Sequence, residues 1–383
     1  MKNIAVLGST GSIGVNTLKV ISALKGRFKV VALSADSNIS LLSAQARSFR
    51  PSSVSVGNES YAAAIKKLLP PGTRVLCGHD GLKEIVSGRG VDIVVFAISG
   101  AACLVPLIEA IKSKKAIALA NKEALVSAGD LIMAMAARSG VRIIPIDSEH
   151  SAVFQCIDGR GWHLSKIYLT GSGGPLLDVD SRRFDSLPVS RILRHPKWAM
   201  GRKISVDSAT MMNKGLEILE AKYLFGLDES RIEVLVHPEA VVHSMVEFAD
   251  GAILAQLAVP DMRLPIQYAI TYPERLESPV RTVDFGGLPA LTFRRPDTRK
   301  FPCLGIARAA ASSGGTAPAA LCAADEVAVG AYLEGTIKFS AIAGVMEKVM
   351  SRHKITGPKA ITVKGILDAD EWAREEARSF CYR

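Results

Sequence analysis

Short β-branched runs alternate with amphipathic segments through the first half of this chain, and this alternation constrains its fold more than any other feature. Asn3–Leu7, Lys29–Ser34, Ser53–Val56, Arg74–Cys77, Ile93–Ala97, Ala116–Ala120 and Val141–Ile146 read as strands, and segments such as Asn16–Leu24 and Tyr61–Leu69 as helices between them. Strands that each wait for a helix before the next are joined by crossovers, so they pair in parallel. The expected N-terminal architecture is a Rossmann-like, doubly wound parallel sheet.

The first strand runs straight into Gly8-Ser9-Thr10-Gly11-Ser12-Ile13-Gly14 and then a helical pattern. Glycines there let backbone N–H groups approach a pyrophosphate at a helix N-terminus. The spacing is G-x-x-G-x-x-G rather than G-x-G-x-x-G, and a ligand-free strand-to-helix turn is the alternative. The second strand ends in Asp36-Ser37-Asn38, where an adenine ribose would lie. An acid there favours a ribose 2′-hydroxyl, whereas Ser37 and Asn38 suit a 2′-phosphate, so on chemistry alone the cofactor stays open.

The texture changes after Ile167. A strand, a Gly-rich turn, a polar stretch and a helix lead into strands at Glu233–His237, Ser244–Phe248 and Ala252–Leu257. That order predicts a central α+β domain with a mostly antiparallel sheet. Residues 273–297 are rich in Pro and Gly, and from Cys303 the chain is Ala-rich and helical. The expected division is 1–147 for dinucleotide binding, 148–272 for catalysis, metal and substrate, 273–298 as linker and 299–383 as a C-terminal helical domain.

Charge narrows the partners. A formal charge of +10 invites a nucleic-acid reading, but the basic residues are scattered and only 6% of residues are aromatic. Stacking platforms and basic blocks are therefore missing, and positive clefts for small phosphorylated molecules explain the charge better. No apolar run approaches the ~20 residues needed to span a bilayer. The 6 cysteines lack Cys-x-x-Cys spacing and Met1 leads directly into a strand, so the expectation is a reduced, cytoplasmic setting with no membrane partner.

Chemistry concentrates in two stretches. In Ile144-Pro-Ile-Asp147-Ser148-Glu149-His150, two carboxylates follow an apolar strand, and alternation along a strand would turn both to one side. Such a pair repels unless a cation lies between, and all-oxygen ligation suits Mg²⁺ or Mn²⁺. In Asp207-Ser-Ala-Thr-Met-Met-Asn213-Lys214-Gly-Leu-Glu217, the last part reads as a helix over 212–221 that puts Asn213, Lys214 and Glu217 on one face. A surface ion pair is the plain alternative there.

Three weaker signals accompany them. Leu169-Thr-Gly171-Ser172-Gly173-Gly174-Pro175 is a strand followed by a turn whose amides and Ser172 hydroxyl suit an anion, or else a plain turn. His195-Pro-Lys-Trp198-Ala-Met200-Gly201 sets an aromatic residue in a Pro- and Gly-punctuated segment, either a core anchor or a lid. His237 and His243 flank a strand junction.

These segments, in this order, resemble the 1-deoxy-D-xylulose 5-phosphate reductoisomerase family across essentially the whole chain. The resemblance is carried most specifically by Ala120-Asn-Lys-Glu-Ala-Leu-Val, Pro145-Ile-Asp-Ser-Glu-His, Leu169-Thr-Gly-Ser-Gly-Gly-Pro, His195 through Glu217, and Val259-Pro-Asp-Met-Arg. It implies Asp147, Glu149 and Glu217 as ligands of a divalent metal (Mg²⁺, Mn²⁺ or Co²⁺). It implies Ser172, Ser208, Asn213 and Lys214 around the substrate phosphate. Lys122, Ser148 and His195 would contact the rest of the substrate, with Trp198 and Met200 on a lid and His243 near the active site. Thr10 to Ile13, Asn38, Asn121, Glu123 and Gly201 would surround NADPH, with Gly8, Asp36 and Ser37 completing that cofactor set from the motifs above. Asp36 stands where many members have a small or basic residue, which weakens the expected preference over NADH.

The implied reaction is metal-assisted rearrangement of 1-deoxy-D-xylulose 5-phosphate followed by NADPH-dependent reduction to 2-C-methyl-D-erythritol 4-phosphate, a step of the non-mevalonate isoprenoid route. Lys122 is the candidate for moving protons, and the resemblance implies a homodimer. Two rivals are a homoserine- or semialdehyde-type dehydrogenase, which gives no reason for three carboxylates beside a phosphate pocket, and a non-catalytic dinucleotide sensor, which need not keep metal ligands.

Overall fold

The computed structural model describes residues 1–157, 163–198, 200–288 and 290–382, so Ala199 of the lid segment and Pro289 of the linker lie outside the described residues. Contacts divide the chain into two compact units, the first formed by 1–124, 132–151 and 261–281, the second by 125–131, 152–260 and 282–383.

The first unit is built on seven strands: β1 (Lys2–Leu7), β2 (Phe28–Ser34), β3 (Ser53–Val56), β4 (Arg74–Cys77), β5 (Ile93–Phe96), β6 (Ala116–Leu119) and β7 (Ile143–Pro145). They form one sheet in the order β4-β3-β2-β1-β5-β6-β7, with every pairing parallel. Helices α1 (Ser12–Ala23), α2 (Ile39–Phe49), α3 (Glu59–Lys66), α4 (Gly78–Ser87), α5 (Leu104–Lys112) and α6 (Lys122–Ser139) follow the first six strands in turn. Ile4 to Leu7 and Val94 to Phe96 are fully buried, as expected when helices cover both faces of a parallel sheet. The strand order reverses between β1 and β5, and the crevice beyond the carboxyl ends at such a reversal is where α/β sheets bind ligands.

One local expectation needs correcting. The strand assigned to Val141–Ile146 shortens to β7, and a helix α7 (Ser148–Ile157) starts one residue after Asp147. Glu149 therefore stands in the first turn of a helix, and strand alternation does not set its direction relative to Asp147. A helix start suits an acidic residue because the first-turn amides are electropositive.

The second unit holds a separate four-stranded sheet of β8 (Leu164–Gly171), β9 (Ile232–Val236), β10 (Val242–Phe248) and β11 (Ile253–Leu257), in the order β11-β10-β8-β9. β10 pairs antiparallel with β8 and β11, while β8 and β9 are parallel. The short helix α8 (Val189–Ile192) precedes α9 (Arg202–Thr210) and α10 (Met212–Phe225), and α10 packs on β8 and β9. Helix α11 (Arg263–Thr271) belongs to the first unit, where it packs on α1. The C-terminal part is helical: α12 (Cys303–Ser313), α13 (Ala317–Leu333), α14 (Ala341–Arg352) and α15 (Val363–Cys381). Among the described residues no helix is long and apolar enough to cross a membrane.

Candidate active site

In the first unit the β1–α1 turn is shaped by close backbone approach. Gly8 has φ +80°, and a Cβ on it would lie 2.4 Å from the Ala97 carbonyl oxygen. A Cβ on Gly14 would lie 2.3 Å from the carbonyl oxygen of Gly8. Only glycine fits at these two positions. Gly11 begins α1 in an extended conformation and no side chain caps the helix, which leaves the first-turn amides oriented for an anion. Thr10, Ser12 and Ile13 line the same turn.

Asp36 and Ser37 are exposed beyond β2, and Asn38 caps α2 by accepting from the Leu41 N–H at 3.1 Å. The Asp36 carboxylate is turned onto the backbone of Gly57, where an added Cβ would meet Oδ1 at 2.3 Å. Asn121, 3% exposed, donates from Nδ2 to the carbonyls of Ile98 (2.9 Å) and Gly100 (3.0 Å) and accepts from the Ala124 N–H (2.7 Å). It thereby ties the start of α6, and with it Lys122 and Glu123, to the loop after β5.

The carboxylate cluster follows. Lys122 Nζ lies 3.0 Å from Asp147 Oδ2, and His150 Nδ1 lies 3.2 Å from the same oxygen. Asp147 Oδ1 accepts from the Ser148 N–H at 3.1 Å, and the Ser148 hydroxyl donates to Glu149 Oε2 at 2.5 Å. Burial works to raise the Asp147 carboxyl, but the Lys122 ammonium and then His150 override it and hold the group well below the usual carboxylate range. Asp147 is thus an anion at any working pH. The sequence reading gave His150 no role; it is fully buried and holds Asp147, and its place three residues after Asp147 was the available signal.

The second unit builds a turn lined with polar donors. Ser172 Oγ lies 3.0 Å from His195 Nε2, while His195 Nδ1 faces the Lys197 and Trp198 N–H groups at 3.2 and 2.9 Å. Facing two donors, Nδ1 must be the acceptor, so Nε2 carries the hydrogen and donates to Ser172. The Ser172 hydroxyl hydrogen is then directed away from His195. Gly174 has φ +71°, and a Cβ there would lie 2.5 Å from the Ser208 carbonyl oxygen and 3.2 Å from Ser208 Oγ. On the other flank, Lys214 Nζ donates to the Thr170 carbonyl and to Glu217 Oε2, each at 2.5 Å. Asn213 Nδ2 donates to Glu217 Oε1 at 2.5 Å.

Lys214 and Glu217 are 6% and 1% exposed, so this is a buried pair and not the surface one. Trp198 lies 6.3 Å from the His243 ring between centroids, Met200 is half-buried, and Gly201 starts α9. His237 is buried, with Nδ1 donating to the Thr292 carbonyl and Nε2 accepting from the Val241 and Val242 N–H groups.

A glycine cradle at the reversal point of a parallel sheet, the carboxylates of the Asp147-Ser148-Glu149 stretch and a turn rich in Ser, His and Lys donors are the features of one class: metal-assisted, nicotinamide-dependent oxidoreductases of phosphorylated substrates. Residues 4–129 match the family model of 1-deoxy-D-xylulose 5-phosphate reductoisomerase, while 143–225 and 257–376 match two models of its C-terminal domains. The chain belongs to the 1-deoxy-D-xylulose 5-phosphate reductoisomerase family. It is 48% identical to the enzyme of that name from Pelotomaculum thermopropionicum over 98% of this chain and 97% of the relative. It is 50% identical to that of Desulfosudis oleivorans over 98% and 99%.

Among solved structures it is similar to a DOX-P reductoisomerase in complex with NADPH, fosmidomycin and magnesium (TM-score 0.93, 41% identity, 99% of this chain and 98% of that one). It is also similar to the Zymomonas mobilis enzyme in complex with NADPH (TM-score 0.92, 38% identity, 100% and 99%). The dehydrogenase and sensor rivals give way to these findings.

Proposed function

We propose that this chain converts 1-deoxy-D-xylulose 5-phosphate into 2-C-methyl-D-erythritol 4-phosphate, by a metal-assisted carbon-skeleton rearrangement followed by reduction with NADPH. The observation that carries the substrate class is the Ser172–His195 pair beside Lys214, a buried cation and an oriented hydroxyl at one turn. The donor set fits its metal: Asp147, Glu149 and Glu217 offer only carboxylate oxygens, which suit Mg²⁺ or Mn²⁺. The cradle fits the cofactor: Gly8 and Gly14 hold the turn tight against its own backbone, and no side chain caps the first-turn amides of α1. When bound, the metal supplies Lewis acidity to the substrate's carbonyl and adjacent hydroxyl, and NADPH supplies the hydride.

The residues themselves do the rest. Ser172, Ser208, Asn213 and Lys214 hold the phosphate, and binding energy from that remote group positions the reacting carbons. Lys122 Nζ, beside Asp147, is the group that holds or moves a proton at the substrate oxygens, with Ser148 as a further contact. Trp198 and Met200 close over the substrate and exclude water. Thr10 to Ile13, Asp36 to Asn38, Asn121, Glu123 and Gly201 surround the cofactor. The functional segments 1–147, 148–272, 273–298 and 299–383 belong to the same reading and differ from the partition by compactness.

The chain acts as a homodimer in this reading. Support comes from β11, an edge strand with Ile253 52% and Leu254 43% exposed; an unpaired apolar edge invites a second strand. A cytoplasmic setting is supported by 6 cysteines of which none forms a disulfide. The test of the whole reading is NADPH oxidation by the purified protein with 1-deoxy-D-xylulose 5-phosphate, with and without Mg²⁺. Oxidation that needs both supports it, and oxidation independent of either overturns it.

A further inference from the structure

Helix α9 carries Ser208 to the anion-binding turn, and its own first turn is oddly furnished. Gly201 starts it without a side-chain cap, and the next residues, Arg202 and Lys203, are cationic. A cation in the first turn opposes the helix dipole, and a lysine four residues before an acid is the weaker order for a helical pair. Local helix stability therefore does not explain Lys203. Its ammonium instead lies 2.7 Å from Asp207 Oδ2 on the same helix and 2.6 Å from Asp325 Oδ2 on α13. Asp207 is 2% exposed and Asp325 fully buried. Asp325 stands in a stretch of α13 that is otherwise apolar, with Ala320, Leu321, Ala323 and Ala324 all fully buried, so packing gives no reason for an acid there.

We infer that Asp325, acting through Lys203, is a positioning residue of the substrate-phosphate pocket: the Lys203–Asp325 ion pair pins the first turn of α9 to α13, and so holds Ser208 against Gly174. The C-terminal helices thereby set the affinity of a turn more than 100 residues away in sequence (325 against 208), without touching substrate. A buried ion pair suits this task because its geometry is stringent: removing one partner strands the other charge.

The inference rests on Ser208 binding phosphate, so the experiment reads both. Steady-state kinetics with 1-deoxy-D-xylulose 5-phosphate at saturating NADPH and Mg²⁺ are compared for wild type, Ser208→Ala, Asp325→Leu, Asp325→Asn and Lys203→Met, with thermal unfolding of each. The expected result is a KM raised about tenfold by Ser208→Ala, Asp325→Leu and Lys203→Met, with kcat within about twofold. Asp325→Asn, which keeps a lone pair for the ammonium, should recover most of the wild-type KM. Should Asp325→Leu fail to fold, Lys203→Met, at a partly exposed position, still reads the same shift. A lowered melting temperature with unchanged KM in both Asp325→Leu and Lys203→Met would mean a purely structural pair and overturn the inference while leaving the pocket intact. An unchanged KM in Ser208→Ala would overturn the pocket assignment and this inference with it.

Discussion

His195 Nε2 lies 3.0 Å from Ser172 Oγ, and two backbone N–H groups at His195 Nδ1 dictate that the imidazole donates to the serine. The serine's own hydrogen is thus aimed outward before any ligand arrives. Ser172→Ala should therefore raise the KM for substrate by about ten- to a hundredfold, the loss of one hydrogen bond to a charged group, with a small effect on kcat. His195→Gln should produce a smaller change of the same kind. Initial-rate kinetics decide it; an unchanged KM in Ser172→Ala would remove the serine from the phosphate site.

Glu149→Gln takes away one charge of the proposed metal-ligand set at constant volume. Turnover should fall at least about a hundredfold, with the unfolding midpoint moved little because Glu149 is only half-buried. Activity titrated with Mg²⁺ and Mn²⁺, alongside circular dichroism, tests this. A variant that binds metal and turns over normally would sink the ligand assignment.

The Lys122–Asp147 pair makes a prediction about acid. The Asp147 carboxyl is depressed in the folded chain, so its contribution to stability is complete above the unfolded value of about 3.9 and is lost as pH falls toward the folded one. Lys122→Met should cost on the order of 3 kcal/mol at pH 7, stay flat down to about pH 5, and shrink only below about pH 4. Urea unfolding across pH 8 to 3.5 measures the difference. A cost that already declines near pH 6 would show that Asp147 is not the group responsible.

Asp36 is exposed and turned onto Gly57, and in the proposed cofactor set it puts a negative charge where a 2′-phosphate would approach. Asp36→Ala should raise the NADPH-to-NADH ratio of kcat/KM by about tenfold, the effect of roughly 1.4 kcal/mol of like-charge repulsion. Equal ratios in both proteins would show that the side chain's turn toward Gly57 already hides the charge.

Periodicity made much of the fold legible. Ser53–Val56 and Arg74–Cys77 are strands at the expected residues, because β-branched runs bounded by polar turns have one favourable state. The helix read over 212–221 runs on to Phe225, where Gly226 takes a left-handed conformation and ends it. Helix α15, in the C-terminal stretch expected to be helical, starts at Val363 because Thr362 caps it. The strand placement of Glu149 gives way for a related reason: two residues of alternation around Ser148 cannot be told from the first turn of a helix. The glycine turn after β1 and the Ser172 turn after β8 stand where the sequence put them, because each is a contiguous strand-to-turn motif.

By itself, then, the sequence determined the parallel sheet, the glycine cradle after β1 and the identity of the acid, amide and ammonium groups, since these depend on local backbone preferences and residue chemistry. Only the tertiary structure decided that Lys214 and Glu217 are buried, that His195 donates to Ser172, that His150 holds Asp147, and that Asp325 reaches Lys203. Those relationships join groups whose protonation, direction and strength depend on burial and on partners brought near by chain closure. Spacing along a chain does not encode them, because the energy of a charge or a hydrogen bond depends on what surrounds it in space.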